Sequence, residues 1–177
     1  MSPNLRQRIW QGASLVLVLG LVIGCSLDVL RVSRHADPRR RWLAQTPDWV
    51  MKATLYHGAQ PGMSDRDRMG CLTVPHRTAA VDPRLAPLGT RLFIKETLGL
   101  KLPGNDRKRA KHDGIWYASD TGRLIKGARI DLYVGDSAND LLAFEHLNLQ
   151  RLSIVRAGKF DGCPAANAPL DRRAPRG

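Results

Sequence analysis

The chain has 177 residues, enough for one domain with a short segment left over at each end. Hydrophobic residues make up 43% of it and charged residues 25%, which argues against a chain that is disordered throughout. There are too few apolar runs for a protein with several membrane spans, and three cysteines are too few for a disulfide scaffold. The formal net charge of +12 predicts an acidic partner, such as nucleic acid, anionic lipid or an anionic polymer.

The start of the chain has the layout of a secretory signal. Basic residues precede a stretch without charge over 9–27. This stretch contains Leu21-Val22-Ile23-Gly24-Cys25, which resembles a bacterial lipobox. The resemblance implies a signal peptide over 1–24, lipid on Cys25 and an outer-membrane lipoprotein at the periplasmic face. The alternative is a single uncleaved transmembrane anchor, since the stretch is long enough to span a bilayer.

The rest of the chain divides by composition into three parts. Residues 25–47 are polar and rich in arginine, and they predict a basic tether. Residues 161–177 lack apolar periodicity and predict a disordered tail, which leaves 48–160 as the folded domain. Two cysteines of the exported part, Cys71 and Cys163, either pair in an oxidising compartment or remain two buried thiols.

Short apolar runs between turn signals predict six strands in the folded domain. One helix is expected where Ser137 can act as a cap, with Asp140 three residues later and apolar residues beyond it. A basic loop over 96–113 is either a solvated insertion or a contact for an anionic ligand. The pattern indicates a small, mainly β, closed barrel. The predicted strands are Trp49–Tyr56, Thr78–Asp82, Thr90–Ile94, Ile115–Ser119, Ile130–Val134 and Arg151–Val155.

Three aspartates stand at the ends of predicted strands: Asp82, Asp120 and Asp131. Around the last of them, alternate residues are apolar, so Asp131 lies on the opposite face of its strand together with Arg129 and Tyr133. A carboxylate beside an aromatic ring and a guanidinium suits the floor of a polysaccharide groove. On spacing alone it is equally an ordinary exposed acid.

The surroundings of these aspartates resemble the motifs of the three-aspartate (3D) domain, in the order of that family. That domain is similar to the catalytic barrel of membrane-bound lytic transglycosylase A, which acts on peptidoglycan. The resemblance therefore implies a six-stranded double-psi β-barrel with one or two short helices. The matching segments are Ala53-Thr54-Leu55-Tyr56, Ala79-Ala80-Val81-Asp82-Pro83, Pro87-Leu88-Gly89-Thr90, Asp120-Thr121-Gly122, Ile125-Lys126-Gly127 and Arg129-Ile130-Asp131.

The same resemblance implies the roles of the site residues. Asp131 would be the catalytic acid and base, and Asp120 would support it, in cleavage of the β-1,4 bond between N-acetylmuramic acid and N-acetylglucosamine. The acid must hold its proton at neutral pH, so burial or a second carboxylate must raise its pKa, whereas a nearby Arg129 would lower it. Asp82 would organise the barrel and groove. The expected groove residues are Asp82, Thr121, Gly122, Lys126, Arg129 and Tyr133.

Two features depart from the family pattern. Arg123 stands where a small residue usually follows Asp-x-Gly, and it can fill part of the groove. The two-domain enzyme grips its glycan between the barrel and a second domain, for which this chain has no room, and an envelope protein partner is one candidate to replace that domain. The domain could then cleave weakly, need that partner, or only bind glycan.

Other functions compete with this interpretation. The main alternative is a non-catalytic envelope lipoprotein that binds peptidoglycan glycan strands through the same barrel. An aspartic protease needs two Asp-Thr-Gly copies, whereas this chain has one. Nucleic acid is not expected as a partner, because an exported chain rarely meets it and the aromatic residues do not alternate with basic ones. No cofactor is expected, and the scattered histidines predict no metal.

Overall fold

The computed structural model describes residues 37–103 and 111–164. The predicted signal or anchor segment, Cys25, and most of the predicted tether and tail lie outside these residues. No helix within the described ranges is long and apolar enough to cross a bilayer. The chain divides into two units between Arg41 and Trp42, and the barrel with its site belongs to the second.

Six strands make up the barrel, in the number and order that the sequence predicts. They are β1 (Trp49–His57), β2 (Thr78–Val81), β3 (Thr90–Ile94), β4 (Ile115–Asp120), β5 (Arg129–Gly135) and β6 (Arg151–Lys159). The helical segments are short: α1 (Pro38–Ala44), α2 (Ala138–Leu141), and 3₁₀ turns over Lys95–Thr97 and Glu145–Leu147. The predicted, mainly β, six-stranded closed barrel is therefore confirmed.

The strands close in the order β1-β5-β2-β4-β3-β6, and β6 returns to β1. Two neighbouring pairs, β1 with β5 and β2 with β4, run parallel, whereas all other pairs are antiparallel. Parallel neighbours require crossover connections rather than hairpins, so strands distant in sequence lie side by side. Closure leaves no free sheet edge in the barrel.

Alternation along the strands divides the buried residues between two layers. Residues at every second position, such as Met51, Trp116 and Leu132, fill the barrel interior. A second cluster lies on the outer face of β3, β4 and β6, where Trp42 of α1 packs on Phe93 with ring centroids 5.3 Å apart. The outer face of β1, β5 and β2 carries the polar residues described below.

Two elements differ from the prediction by more than one residue at an end. Strand β6 runs on to Lys159 instead of ending at Val155, because its second half pairs with β3 after its first half has paired with β1. The predicted helix is one turn only, although Ser137 and Asp140 do form the expected cap: the backbone N–H and the hydroxyl of Ser137 both donate to Asp140 Oδ2 at 2.9 Å.

Candidate active site

A β-bulge brings the two predicted catalytic aspartates to the same face of the sheet. On β4, Trp116 and Ala118 point into the barrel, so strict alternation would turn Asp120 inward as well. The pairing with β2 shifts by one residue, however: Ala79 lies opposite Ala118, but Ala80 lies opposite Asp120, and Ser119 is the extra residue. A bulge of this kind re-aims the side chain that follows it. Asp120 therefore joins Asp131 on the outer face.

Ala80 separates the two acids across the sheet. It is the register partner of Asp120 on one side and of Asp131 on the other. Since neighbouring strands are about 4.8 Å apart, the two aspartate Cα atoms are about 10 Å apart. The alanine methyl group leaves open space between two side chains that can both lean over it.

Asp131 is the more weakly solvated acid of the pair. The Thr54 hydroxyl, on the neighbouring strand β1, donates to Asp131 Oδ1 at 2.7 Å. Burial raises the pKa of Asp131, the Thr54 hydrogen bond lowers it less, and the negative charge of Asp120 raises it further. Arg129 points elsewhere, to the carbonyl oxygen of Leu124 at 3.4 Å. The surroundings of Asp131 therefore shift its equilibrium towards the protonated form.

Asp120 accepts more hydrogen bonds than Asp131 does. Its Oδ1 accepts the backbone N–H groups of Thr121 at 2.8 Å and Arg68 at 3.1 Å, and its Oδ2 accepts the Tyr56 hydroxyl at 3.2 Å. Burial raises the pKa of Asp120, and these three donors oppose the rise. Three donors thus favour the ionised form of Asp120, whereas Asp131 has one such donor.

Tyr56 is a site residue that the sequence analysis did not assign. Its side chain is buried and shares the outer face of β1 with Thr54, two residues earlier. Burial, together with the charge of Asp120, raises the pKa of the Tyr56 phenol, so this group remains a hydrogen-bond donor. The only signal in the sequence was its place two residues after Thr54 in a segment that resembles the first strand of the 3D domain.

The two acids lie at the base of a pocket of about 310 Å³. One wall comes from the connection between β1 and β2, and the other from the loop between β4 and β5. The described residues that line the pocket are Tyr56, Gly62, Met63, Ser64, Arg66, Ala80, Asp120, Thr121, Gly122, Arg123 and Asp131. Arg123, the departure from the family pattern, is thus part of the wall.

Asp82 holds the β4–β5 loop in place through a hydrogen bond. Its side chain is only 3% exposed, and its Oδ2 accepts the backbone N–H of Gly127 at 2.8 Å. The hydrogen bond from the Arg84 side chain, and to a lesser extent that from the Gly127 N–H, holds the pKa of Asp82 far below its usual range. Asp82 is therefore a permanent anion. Gly127 has a left-handed conformation, with φ of 61°, which favours glycine at this position. Asp82 thus positions the loop that joins the two acids.

The β4–β5 loop is closely packed at Gly122. A Cβ atom at this position would lie 2.6 Å from Cγ1 of Ile125, a side chain that is itself buried. Only a glycine fits here without displacing Ile125.

Of the expected groove residues, Thr121 and Gly122 line the pocket. Of the others, Lys126 is exposed, and Tyr133 donates from its hydroxyl to Asp136.

The wall formed by the β1–β2 connection is covalently fastened. Cys71 and Cys163 form a disulfide with their Cα atoms 5.4 Å apart, across a sequence separation of 92 residues. Asp67 is buried in the same wall and accepts the backbone N–H groups of Met69 and Cys71. These bonds hold the segment that supplies the Arg68 N–H to Asp120.

Among the described residues, no cluster of three or more metal-ligating side chains is present.

Residues 77–141 match the family model of the 3D domain. This segment of the chain is similar to the 3D domain. The matched segment includes Asp82, Asp120 and Asp131, which confirms the family resemblance seen in the sequence. No curated protein matches the chain.

Among solved structures, the chain is similar to two lytic transglycosylases. The first is Escherichia coli MltA with bound chitohexaose, at 17% identity and a TM-score of 0.39, covering 58% of this chain and 30% of that one. The second is LtgG of Burkholderia pseudomallei, at 22% identity and a TM-score of 0.35, covering 56% of this chain and 29% of that one. The chain thus spans less than a third of either protein.

Proposed function

We propose that this 3D-domain protein cleaves the glycan strands of peptidoglycan at the β-1,4 bond between N-acetylmuramic acid and N-acetylglucosamine, as a lytic transglycosylase. The observation that carries the proposal is the unequal pair of carboxylates in one pocket: Asp131 with one hydrogen-bond donor and Asp120 with three. Pairs whose surroundings drive their pKa values apart can divide acid and charge-stabilising roles between them.

In this mechanism Asp131 acts first as acid and then as base. It gives its proton to the glycosidic oxygen while the bond from that oxygen to the anomeric carbon breaks. The muramic acid 6-hydroxyl forms the new bond to the anomeric carbon and returns its proton to Asp131. The product is a 1,6-anhydro sugar, and no water is consumed. The anionic Asp120 stabilises the positive charge that develops on the sugar ring.

The surroundings of the pair support this division of roles. Thr54 fixes one oxygen of Asp131, which leaves the other oxygen for the substrate. The open floor over Ala80 gives a sugar ring access to both acids. We further propose that the protein works in the cell envelope, anchored in the outer membrane through lipid on Cys25.

The test is digestion of purified peptidoglycan sacculi, with released muropeptides identified by mass spectrometry. We expect 1,6-anhydro-muropeptides from the wild-type protein and none from Asp131→Asn. The matched control is Asp161→Asn, which alters an exposed aspartate beyond β6 and should leave the release unchanged. Reducing-end products would mean hydrolysis instead. A wild-type protein that sediments with sacculi but releases nothing would show a binding lipoprotein in place of an enzyme.

A further inference from the structure

The two walls of the pocket each carry one exposed arginine. Arg66 belongs to the β1–β2 connection and Arg123 to the β4–β5 loop. They are the only cationic side chains among the described residues that line the pocket. Two positive charges thus stand above a base that holds the anionic Asp120.

Arg66 is held in place by its own wall. Its Nη1 donates to the carbonyl oxygen of Gly70 at 2.7 Å, and its backbone N–H donates to Ser64 Oγ at 3.0 Å. An isolated β-bridge joins Arg66 to Leu72, next to the disulfide at Cys71. A guanidinium has five N–H donors, so this arrangement leaves several for a ligand. Arg66 is thus a fixed donor rather than a freely moving surface side chain.

A neutral sugar would not require these charges. An acidic ligand would, because Asp120 repels any carboxylate that enters the pocket. Planar guanidinium groups bind carboxylates through paired, charge-assisted hydrogen bonds. Of the two sugars in the proposed substrate, only N-acetylmuramic acid bears a carboxylate-containing substituent, its 3-O-lactyl group, which is either free or extended by a peptide with carboxylates of its own.

We propose that Arg66 and Arg123 form a carboxylate-binding site that selects muramic acid-containing glycans over neutral ones. This inference rests on the proposed function, because it assigns the acidic group of the same substrate. The β1–β2 connection, fastened by the Cys71–Cys163 disulfide, then serves as a substrate-holding wall within the domain itself. A glycan is held between the two loops, with its carboxylate at the rim and its glycosidic bond above Asp131.

The test measures binding by isothermal titration calorimetry with the full-length protein in an Asp131→Asn background, so that turnover does not interfere. The ligands are chitohexaose, a peptide-free glycan oligomer containing muramic acid, and the same oligomer with its peptides. We expect at least one acidic glycan to bind about tenfold more tightly than chitohexaose, and added salt to reduce the difference. A gain with the peptide-free oligomer identifies the lactyl carboxylate, whereas a gain only with peptides identifies peptide carboxylates.

Arginine variants then assign the site. Arg66→Gln combined with Arg123→Gln should abolish the tenfold preference for the acidic glycan over chitohexaose. The matched control is Arg151→Gln, an exposed arginine on β6 outside the pocket, which should keep the preference. Circular dichroism and thermal melting verify that the variants fold.

Two outcomes would overturn the inference: equal affinity for neutral and acidic glycans, or a preference that survives in the double variant. Failure to bind any of the three ligands would overturn it as well. The proposed reaction is judged separately, by the muropeptides that the wild-type protein releases. Selective binding without release would reject the enzyme and keep the carboxylate site, whereas release without selectivity would do the reverse.

Discussion

Replacing Tyr56 with phenylalanine should move one limb of the pH–activity profile. The Tyr56 hydroxyl donates to Asp120 Oδ2 and stabilises its ionised form. A hydrogen bond to a charged group contributes about 1.5–3 kcal/mol, and the long 3.2 Å bond places this one near the lower end. At about 1.4 kcal/mol per pKa unit, its loss should raise the pKa of Asp120 by about one unit.

The sign of the effect follows from the roles of the two acids. Activity requires Asp120 ionised and Asp131 protonated, so Asp120 sets the acid limb of kcat/KM and Asp131 sets the alkaline limb. Tyr56→Phe should therefore move the acid limb about one unit towards higher pH and leave the alkaline limb in place. The pH range of activity becomes narrower, because Asp120 loses its proton only at a higher pH.

Two further variants make the test specific. Thr54→Val removes the donor to Asp131, which raises the pKa of that acid and should move the alkaline limb towards higher pH instead. Tyr133→Phe is the matched control, since its ring packs against Tyr56 at 5.1 Å but its hydroxyl donates to Asp136. An acid limb that stays in place in Tyr56→Phe, or moves equally in Tyr133→Phe, would refute the assigned roles.

Three other perturbations test the architecture. Replacing Cys71 and Cys163 by serine opens a loop of 92 residues. The free energy of unfolding, measured by urea titration, should fall by about 4.6 kcal/mol, because the unfolded chain gains the entropy of the open loop. A loss below about 1 kcal/mol would contradict this prediction. Ala80→Leu should fill the space between the acids and reduce muropeptide release about 100-fold while the protein stays folded, and undiminished release would show that the floor is not used. Burial lowers the pKa of His112 to about 4, so the unfolded chain binds more protons between pH 6.5 and 4. Stability should fall by up to about 3 kcal/mol as the pH decreases through that window, and His112→Gln should lack this dependence in unfolding curves.

Local pattern was sufficient to predict the strands and the barrel. Apolar alternation located all six strands and placed Asp131 on the outer face of β5, because alternation reports directly which side of a strand is buried. The order of the motifs identified the domain. Both signals are local in sequence, and neither depends on how distant strands pair.

The placement of Asp120 could not be predicted in that way. Alternation from Trp116 and Ala118 sends it into the core, and only the bulge at Ser119 returns it to the outer face. A bulge depends on the register between β2 and β4, which a single sequence does not reveal. Tyr56 was missed for a related reason, since its partner Asp120 lies 64 residues away on a strand that does not pair with β1.

Because of the disulfide, the pocket is completed only after the whole barrel has been synthesised and its two thiols have been oxidised. Cys163 follows the last strand, so a nascent chain cannot fasten the wall at Cys71 until all six strands have been synthesised. Thiol oxidation must follow, in a compartment that permits it. A truncated or reduced chain would contain Asp120 and Asp131 without a secured wall over them. The order of synthesis and the place of oxidation together decide when the finished pocket first exists.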